Sequence, residues 1–175
     1  MTTAIYPATF DPITYGHMDI ATRAASMFEK LIVAVYDRPL KDLLFTPEER
    51  WDMVCKALQH LSNVQIELYH GLTVDYARQC GARVIVRGLR VLSDFEWEFQ
   101  LALTNRRLSP DIDTVCLMAS QEYSFLSSSV VREVAMNGGK VDDMAPPHVV
   151  QALLQRFQML GRDGGGKVSL VSLRD

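Results

Sequence analysis

Four groups of residues have the types and spacing to hold and neutralise phosphate. The first is Pro7-Ala8-Thr9-Phe10-Asp11-Pro12-Ile13-Thr14-Tyr15-Gly16-His17. Here the apolar run Ala4 to Tyr6 meets a turn bounded by Pro7 and Pro12, and a helical pattern begins near Thr14. Gly16 and His17 therefore fall in a first helical turn, where free N–H groups and the positive end of the helix dipole attract anions. With no Cβ, Gly16 lets a nucleotide approach the backbone. The second group is Arg87-Gly88-Leu89-Arg90, two guanidinium forks around a tight turn directly after an apolar run. The third is Tyr123-Ser124-Phe125-Leu126-Ser127-Ser128-Ser129, hydroxyls and free N–H groups at another helix start, with Arg132 following on the same face. The fourth is Lys41, between Pro39 and Phe45, within reach of the same edge. This chemistry is alignment of anions and neutralisation of charge. No Ser-His-Asp arrangement and no carboxylate cluster points to a nucleophile or a dedicated magnesium cage, and His60, His70 and His148 have no metal-ligand spacing.

These groups need a scaffold that brings them to one edge. β-branched, apolar runs recur at Ala4 to Tyr6, Leu31 to Tyr36, Val64 to Leu68, Val84 to Val86 and Val115 to Met118, and helical patterns separate most of them. Such alternation predicts a parallel sheet covered on both faces. Met18, Ile20, Ala21, Ala24, Ala25, Met27 and Phe28 give the first helix its apolar stripe. Thr46-Pro47-Glu48-Glu49 opens the second, expected to reach about Leu61. A third covers about Thr73 to Cys80, and a fourth Ser93 to Leu108, with Phe95, Phe99, Ala102 and Arg106 along one side. A fifth starts at Ser127 and ends before Gly138-Gly139, and a last one carries Val149, Val150, Leu153, Leu154 and Phe157 to the core. In an open parallel sheet, ligands bind beyond the carboxyl ends of the strands where the winding order reverses, and the first and fourth strands are neighbours there in the usual nucleotide-binding winding.

A chain of 175 residues with 48% hydrophobic composition suits one domain with a single core, over 1–160, followed by a flexible glycine-rich tail at 161–175. A net charge of −3 and a pI near 5.8 give no overall attraction to nucleic acid, so an anionic ligand must be held locally. Cys55, Cys80 and Cys116 are scattered and read as small buried hydrophobes rather than a disulfide framework or zinc site. Without a leader or a membrane-length apolar run, a cytoplasmic protein with no membrane partner is expected. In the tail, Gly161, Gly166 and Lys167 mimic a phosphate-binding loop, but Val168 replaces the metal-binding hydroxyl and no strand precedes it.

In combination these motifs resemble bacterial phosphopantetheine adenylyltransferases, nucleotidylyltransferases of the coenzyme A pathway. The resemblance runs from about Ile5 to Phe157 and rests on the opening Tyr-Pro-x-Thr-Phe-Asp-Pro-Ile-Thr-x-Gly-His and on Phe45-Thr46-x-Glu48-Glu49-Arg50. It rests also on Arg87 to Arg90 with Asp94, Phe95, Glu96 and Glu98, and on Ser127-Ser128-Ser129. It implies a Rossmann-like, doubly wound, five-stranded parallel α/β sheet with helices on both faces. It also implies transfer of AMP from ATP to 4'-phosphopantetheine, giving dephospho-coenzyme A and pyrophosphate, reversibly and without a covalent enzyme intermediate. Magnesium would be carried mainly by the ATP phosphates, and a homohexamer is the family expectation. By the resemblance, His17 stabilises the transition state, with Lys41 and Arg90 in the catalytic set. Thr9, Phe10, His17, Gly88, Leu89, Arg90, Glu98 and Tyr123 to Ser129 bind ATP; Thr9, Lys41, Thr73 and Arg87 hold the acceptor. Read on its own, Glu98 is an ordinary exposed helix glutamate. Ala8, Tyr15 and Asp42 depart from the family pattern, the first near the nucleotide and the other two bearing on acceptor affinity. The nearest rival keeps the fold and changes the acceptor, as in nicotinamide mononucleotide adenylyltransferases or cytidylyltransferases; a non-catalytic nucleotide sensor is the other alternative.

Overall fold

The computed structural model describes residues 2–38 and 43–162. β1 (Thr3–Ala8), β2 (Lys30–Tyr36), β3 (Val64–Tyr69), β4 (Val84–Leu89) and β5 (Asp113–Met118) form one sheet in the order β3-β2-β1-β4-β5, and every pairing is parallel. The chain winds outward from β1 to one edge, then crosses to β4 and the other, so the reversal lies between β1 and β4. α1 (Tyr15–Met27), α2 (Pro47–Leu58), α3 (Thr73–Gln79), α4 (Leu92–Leu108), α5 (Ser128–Met136) and α6 (Pro147–Arg162) connect and cover the strands, with a 3₁₀ turn at Gln121–Tyr123.

Strand alternation divides the core in two. Ala4, Tyr6, Leu31, Val33, Val35 and Val86 face one way, packing with Ile20 and Ala24 of α1, Val54 and Leu58 of α2, Val131 of α5 and Val149 and Leu153 of α6. Ile5, Ile32, Ala34 and Ile85 face the other, against Val74, Tyr76 and Ala77 of α3. α4 is different. Its one buried residue is Glu98, while Leu92, Phe95, Phe99 and Leu103 lie 89%, 52%, 53% and 55% exposed.

Several expectations need correction. Pro7 does not stop β1; it pairs with Ala34, and β1 is joined to β4 only at Ala4–Val84 and Ile5–Ile85. Past that point a missing N–H costs no β1–β4 ladder bond. Arg87, Gly88 and Leu89 are not a tight turn but the end of β4, held there by pairing with Cys116, Leu117 and Met118. The second helix stops at Leu58 and the chain turns back, with Leu61 N–H donating to the Leu58 carbonyl. Leu154 is 46% exposed, off the Val149–Val150–Leu153 stripe that α6 buries. The cysteines are not core residues: Cys55 and Cys80 are half-buried, and Cys116 on edge strand β5 is exposed. α6 carries Gly161 and Arg162 beyond the expected tail boundary; the rest of that tail, and the phosphate-loop mimic within it, lie outside the described residues.

Candidate active site

Where β1 and β4 part, the sheet opens into a cavity of about 300 Å³. It is lined by Tyr6 to Asp11 of the first strand and turn, Gly16 and His17 of α1, Arg87, Gly88 and Arg90, Glu98 of α4, and Tyr123, Leu126 and Ser128. The Arg87 Nη1 donates to the Pro7 carbonyl at 2.7 Å, spanning the split with a side chain where ladder bonds have ended.

The turn after β1 is fixed from within. Phe10 has φ 51°, a left-handed conformation that costs a non-glycine residue on the order of 1–3 kcal/mol. Packing holds it: the ring is 2% exposed and edge-on to Tyr6 and His17 at 5.5 and 5.1 Å. Burial raises the Tyr6 pKa, so its hydroxyl stays protonated. Asp11, 1% exposed, accepts from the N–H groups of Leu44 and Phe45 at 2.9 and 3.0 Å and from Arg132 at 3.0 Å. Arg50 is completely buried and donates to the carbonyls of Thr9, Tyr36, Phe45 and Asp37. Burial lowers its pKa, an effect that Asp11 and Asp37 oppose. Two charged groups thus tie the first turn to the segment on the C-terminal side of β2.

At the start of α1, Thr14 and His17 cap each other. The Thr14 Oγ1 accepts from the His17 N–H, and His17 Nδ1 accepts from the Thr14 N–H at 3.1 Å. An Nδ1 that accepts leaves the ring proton on Nε2, so the imidazole offers an N–H donor in a helix N-terminal turn where anions are already favoured. The same interaction that satisfies the helix end selects the tautomer.

Arg87, Arg90 and Arg132 are each paired with a carboxylate. Arg87 grips Glu98 through Nε–Oε2 at 2.8 Å and Nη2–Oε1 at 2.6 Å. Burial opposes its charge, and Glu98 more than offsets that, raising the Arg87 pKa. Arg90 pairs with Asp94 at 3.1 Å and donates to the Leu126 carbonyl at 3.3 Å, linking β4 to the loop before α5. Arg132 lines the cavity but is largely buried, pairing with Asp11 and donating to the Ser129 hydroxyl. Glu98 is not an exposed helix residue: at 7% exposure it orients Arg87.

Residues 5–134 match the family described as cytidylyltransferase-like. A solved structure from Vibrio parahaemolyticus, described as a "putative nicotinate-nucleotide adenylyltransferase", superposes with a TM-score of 0.68 over 90% of this chain and 96% of its own at 18% identity. That likeness shows the fold. The phosphopantetheine adenylyltransferase of a Synechococcus strain is 54% identical over 89% of this chain and 98% of its own length, and that of Thermomicrobium roseum 52% over 91% and 98%. This chain belongs to the phosphopantetheine adenylyltransferase family.

In this adenylyltransferase the structure gathers Thr9, Phe10, His17, Arg87, Gly88, Arg90, Glu98, Tyr123, Leu126 and Ser128 around one cavity. Leu89, Ser124, Phe125, Ser127, Ser129 and Thr73 are not among its lining residues. Ser127 caps α5 by accepting from Val130, Ser128 donates to the Pro12 carbonyl at 2.8 Å, Ser129 accepts from Arg132, and Ser124 donates to the Gln121 carbonyl. Phe125 is 59% exposed. Thr73, at the start of α3, lies 3.2 Å from the hydroxyl of Tyr69, and Tyr69 does line the cavity. Lys41 and Asp42 lie outside the described residues. Ala8 reaches both the cavity wall and the core. The tasks of Asp11 and Arg50 are not legible in their motifs, because the N–H groups and Arg132 that Asp11 accepts from, and most of the carbonyls that Arg50 donates to, lie far along the chain.

Proposed function

We propose that the protein moves AMP from ATP to 4'-phosphopantetheine, forming dephospho-coenzyme A and pyrophosphate. A phosphate oxygen of the acceptor attacks the α-phosphorus of ATP; the new P–O bond forms as the bond to the bridging oxygen breaks, and pyrophosphate leaves with the electron pair. No residue needs to become covalently attached, because alignment of two anions and neutralisation of developing charge supply the acceleration. The observation that carries this reading is the Thr14–His17 cap, which fixes the His17 ring in the wall of the cavity opened by the β1–β4 split. His17 donates to phosphate oxygens as charge builds. Thr9 and Arg87 hold the acceptor phosphate, with Lys41 and Thr73 completing that side; Arg90 and the residues from Gly88 to Arg90 and Tyr123 to Ser129 hold ATP. Glu98 serves chiefly by aiming Arg87.

Magnesium would accompany ATP. The carboxylates lining the cavity, Asp11, Asp94 and Glu98, are engaged by Arg132, Arg90 and Arg87, so this donor set suits a cation carried by phosphate and water rather than a protein cage. The exposed apolar face of α4 supports self-association, since a contiguous apolar stripe of this kind ordinarily meets a partner, and the assembly proposed from the family is a homohexamer. Among the described residues no helix is long and apolar enough to cross a membrane.

Incubation with ATP, Mg²⁺ and 4'-phosphopantetheine should release pyrophosphate and dephospho-coenzyme A in equal amounts, and nicotinamide mononucleotide offered in parallel should be inert. Product from nicotinamide mononucleotide alone would assign a different acceptor to the same chemistry. ATP binding with no product from either would favour a nucleotide sensor.

A further inference from the structure

One face of α1 does a task that its capping turn does not explain. Tyr15, Asp19 and Arg23, spaced by successive fours, meet the end of β5 and the segment that follows it. The rings of Tyr15 and Tyr123 lie 6.3 Å apart with their planes inclined by 33°. Asp19 accepts from Ser120 twice, at Oδ1 from the hydroxyl at 2.9 Å and at Oδ2 from the backbone N–H at 3.2 Å. Arg23 donates to Asp19 Oδ2 at 3.2 Å and to the Met118 carbonyl at 2.6 Å. The Asp19 side chain is 14% exposed, so these bonds are largely shielded from water.

From Ser120 the order passes on. Its carbonyl accepts from Tyr123, whose carbonyl accepts from Leu126, and Ala119 is pinned to the Leu89 carbonyl at 2.7 Å. Ala119, Tyr123 and Leu126 line the same cavity as His17, and a Cβ on Gly16 would sit 3.6 Å from the Tyr123 Cβ. The helix that carries His17 therefore also holds the 119–126 wall of the site, and the carboxylate joining them is Asp19.

We infer that Asp19 is a positioning residue for ATP: through Ser120 it sets the 119–126 wall at a fixed distance from His17. This rests on the reading of that wall as the nucleotide side of an adenylyl-transfer site. Asp19→Asn keeps the side chain's size but removes the charge that pairs with Arg23 and orders Ser120. Losing a charge-assisted hydrogen bond should weaken ATP binding by roughly 10-fold or more. Isothermal calorimetry should show that loss, and initial rates should show the KM for ATP rising while the KM for 4'-phosphopantetheine stays within about twofold. Ser120→Ala should act in the same direction, and the double variant should bind ATP no more weakly than Asp19→Asn alone, because both break one connection. A merely structural role would lower thermal stability and leave ATP affinity unchanged, or raise both KM values together; either result would overturn the assignment. If Asp19→Asn does not fold, Ser120→Ala decides the question by the same split. The calorimetric arm needs no acceptor, so it judges Asp19 even if neither acceptor is adenylated.

Discussion

His17 and Gly16 are adjacent, yet the fold constrains them differently. His17 is locked by the Thr14 cap, so His17→Ala removes both an N–H donor and a helix-capping acceptor. Loss of one donor aimed at transition-state charge costs about 100-fold in turnover, and we predict a fall in kcat of at least that size with a much smaller change in the Kd for ATP. Unchanged turnover would contradict the role. At Gly16 a Cβ would meet Thr14 Oγ1 and Tyr123 Cβ at 3.6 Å, ordinary contacts that the fold tolerates. Gly16→Ala should therefore melt within a few degrees of the parent while losing ATP affinity; retained affinity would mean that the nucleotide does not pass over this turn. Gly88 is the reverse case. A Cβ there would come within 3.2 Å of Ile20, so its glycine serves the close packing of α1 on β4 whatever the ligand requires.

At the scale of elements, the sequence showed what local pattern can show. β-branched runs and helical stripes placed all five strands and the connecting helices, because periodicity is a local property and the chain keeps it over most of its length. The Thr46-Pro47-Glu48-Glu49 signature predicted a cap that the structure contains, with Thr46 and Glu49 bonded reciprocally. What stayed hidden depends on contacts between distant segments. That β4 persists through Arg87 to Leu89 follows from its pairing with β5, which no window around Arg87 can reveal. Arg50 lies in a motif legible as a helix start, yet its task is to satisfy carbonyls as far away as Thr9. Arg50→Met fills similar space and strands those carbonyls without a donor. It should destabilise the protein by about 3 kcal/mol or more in urea unfolding. Stability equal to the parent would show that water satisfies those groups.

For the whole molecule, the sheet reversal and the α4 face address different partners. Leu92, Phe95, Phe99 and Leu103 form a stripe within α4, and the Phe95 and Phe99 rings stack at 5.8 Å. The sequence placed phenylalanines on one side of that helix without indicating that the side faces outward, since an apolar stripe looks the same whether its partner is this chain or another. If the stripe is the assembly surface, sedimentation should find six copies for the parent and smaller species for Phe95→Glu, with helical content retained. A parent sedimenting as one copy would leave the face without that role. The central claim, direct passage of AMP between two bound anions, is tested most directly by exchange of labelled pyrophosphate into ATP. Exchange should appear only when 4'-phosphopantetheine or dephospho-coenzyme A is present, because the protein itself never holds AMP covalently. Exchange with the enzyme, ATP and Mg²⁺ alone would reveal an adenylylated protein and contradict the account.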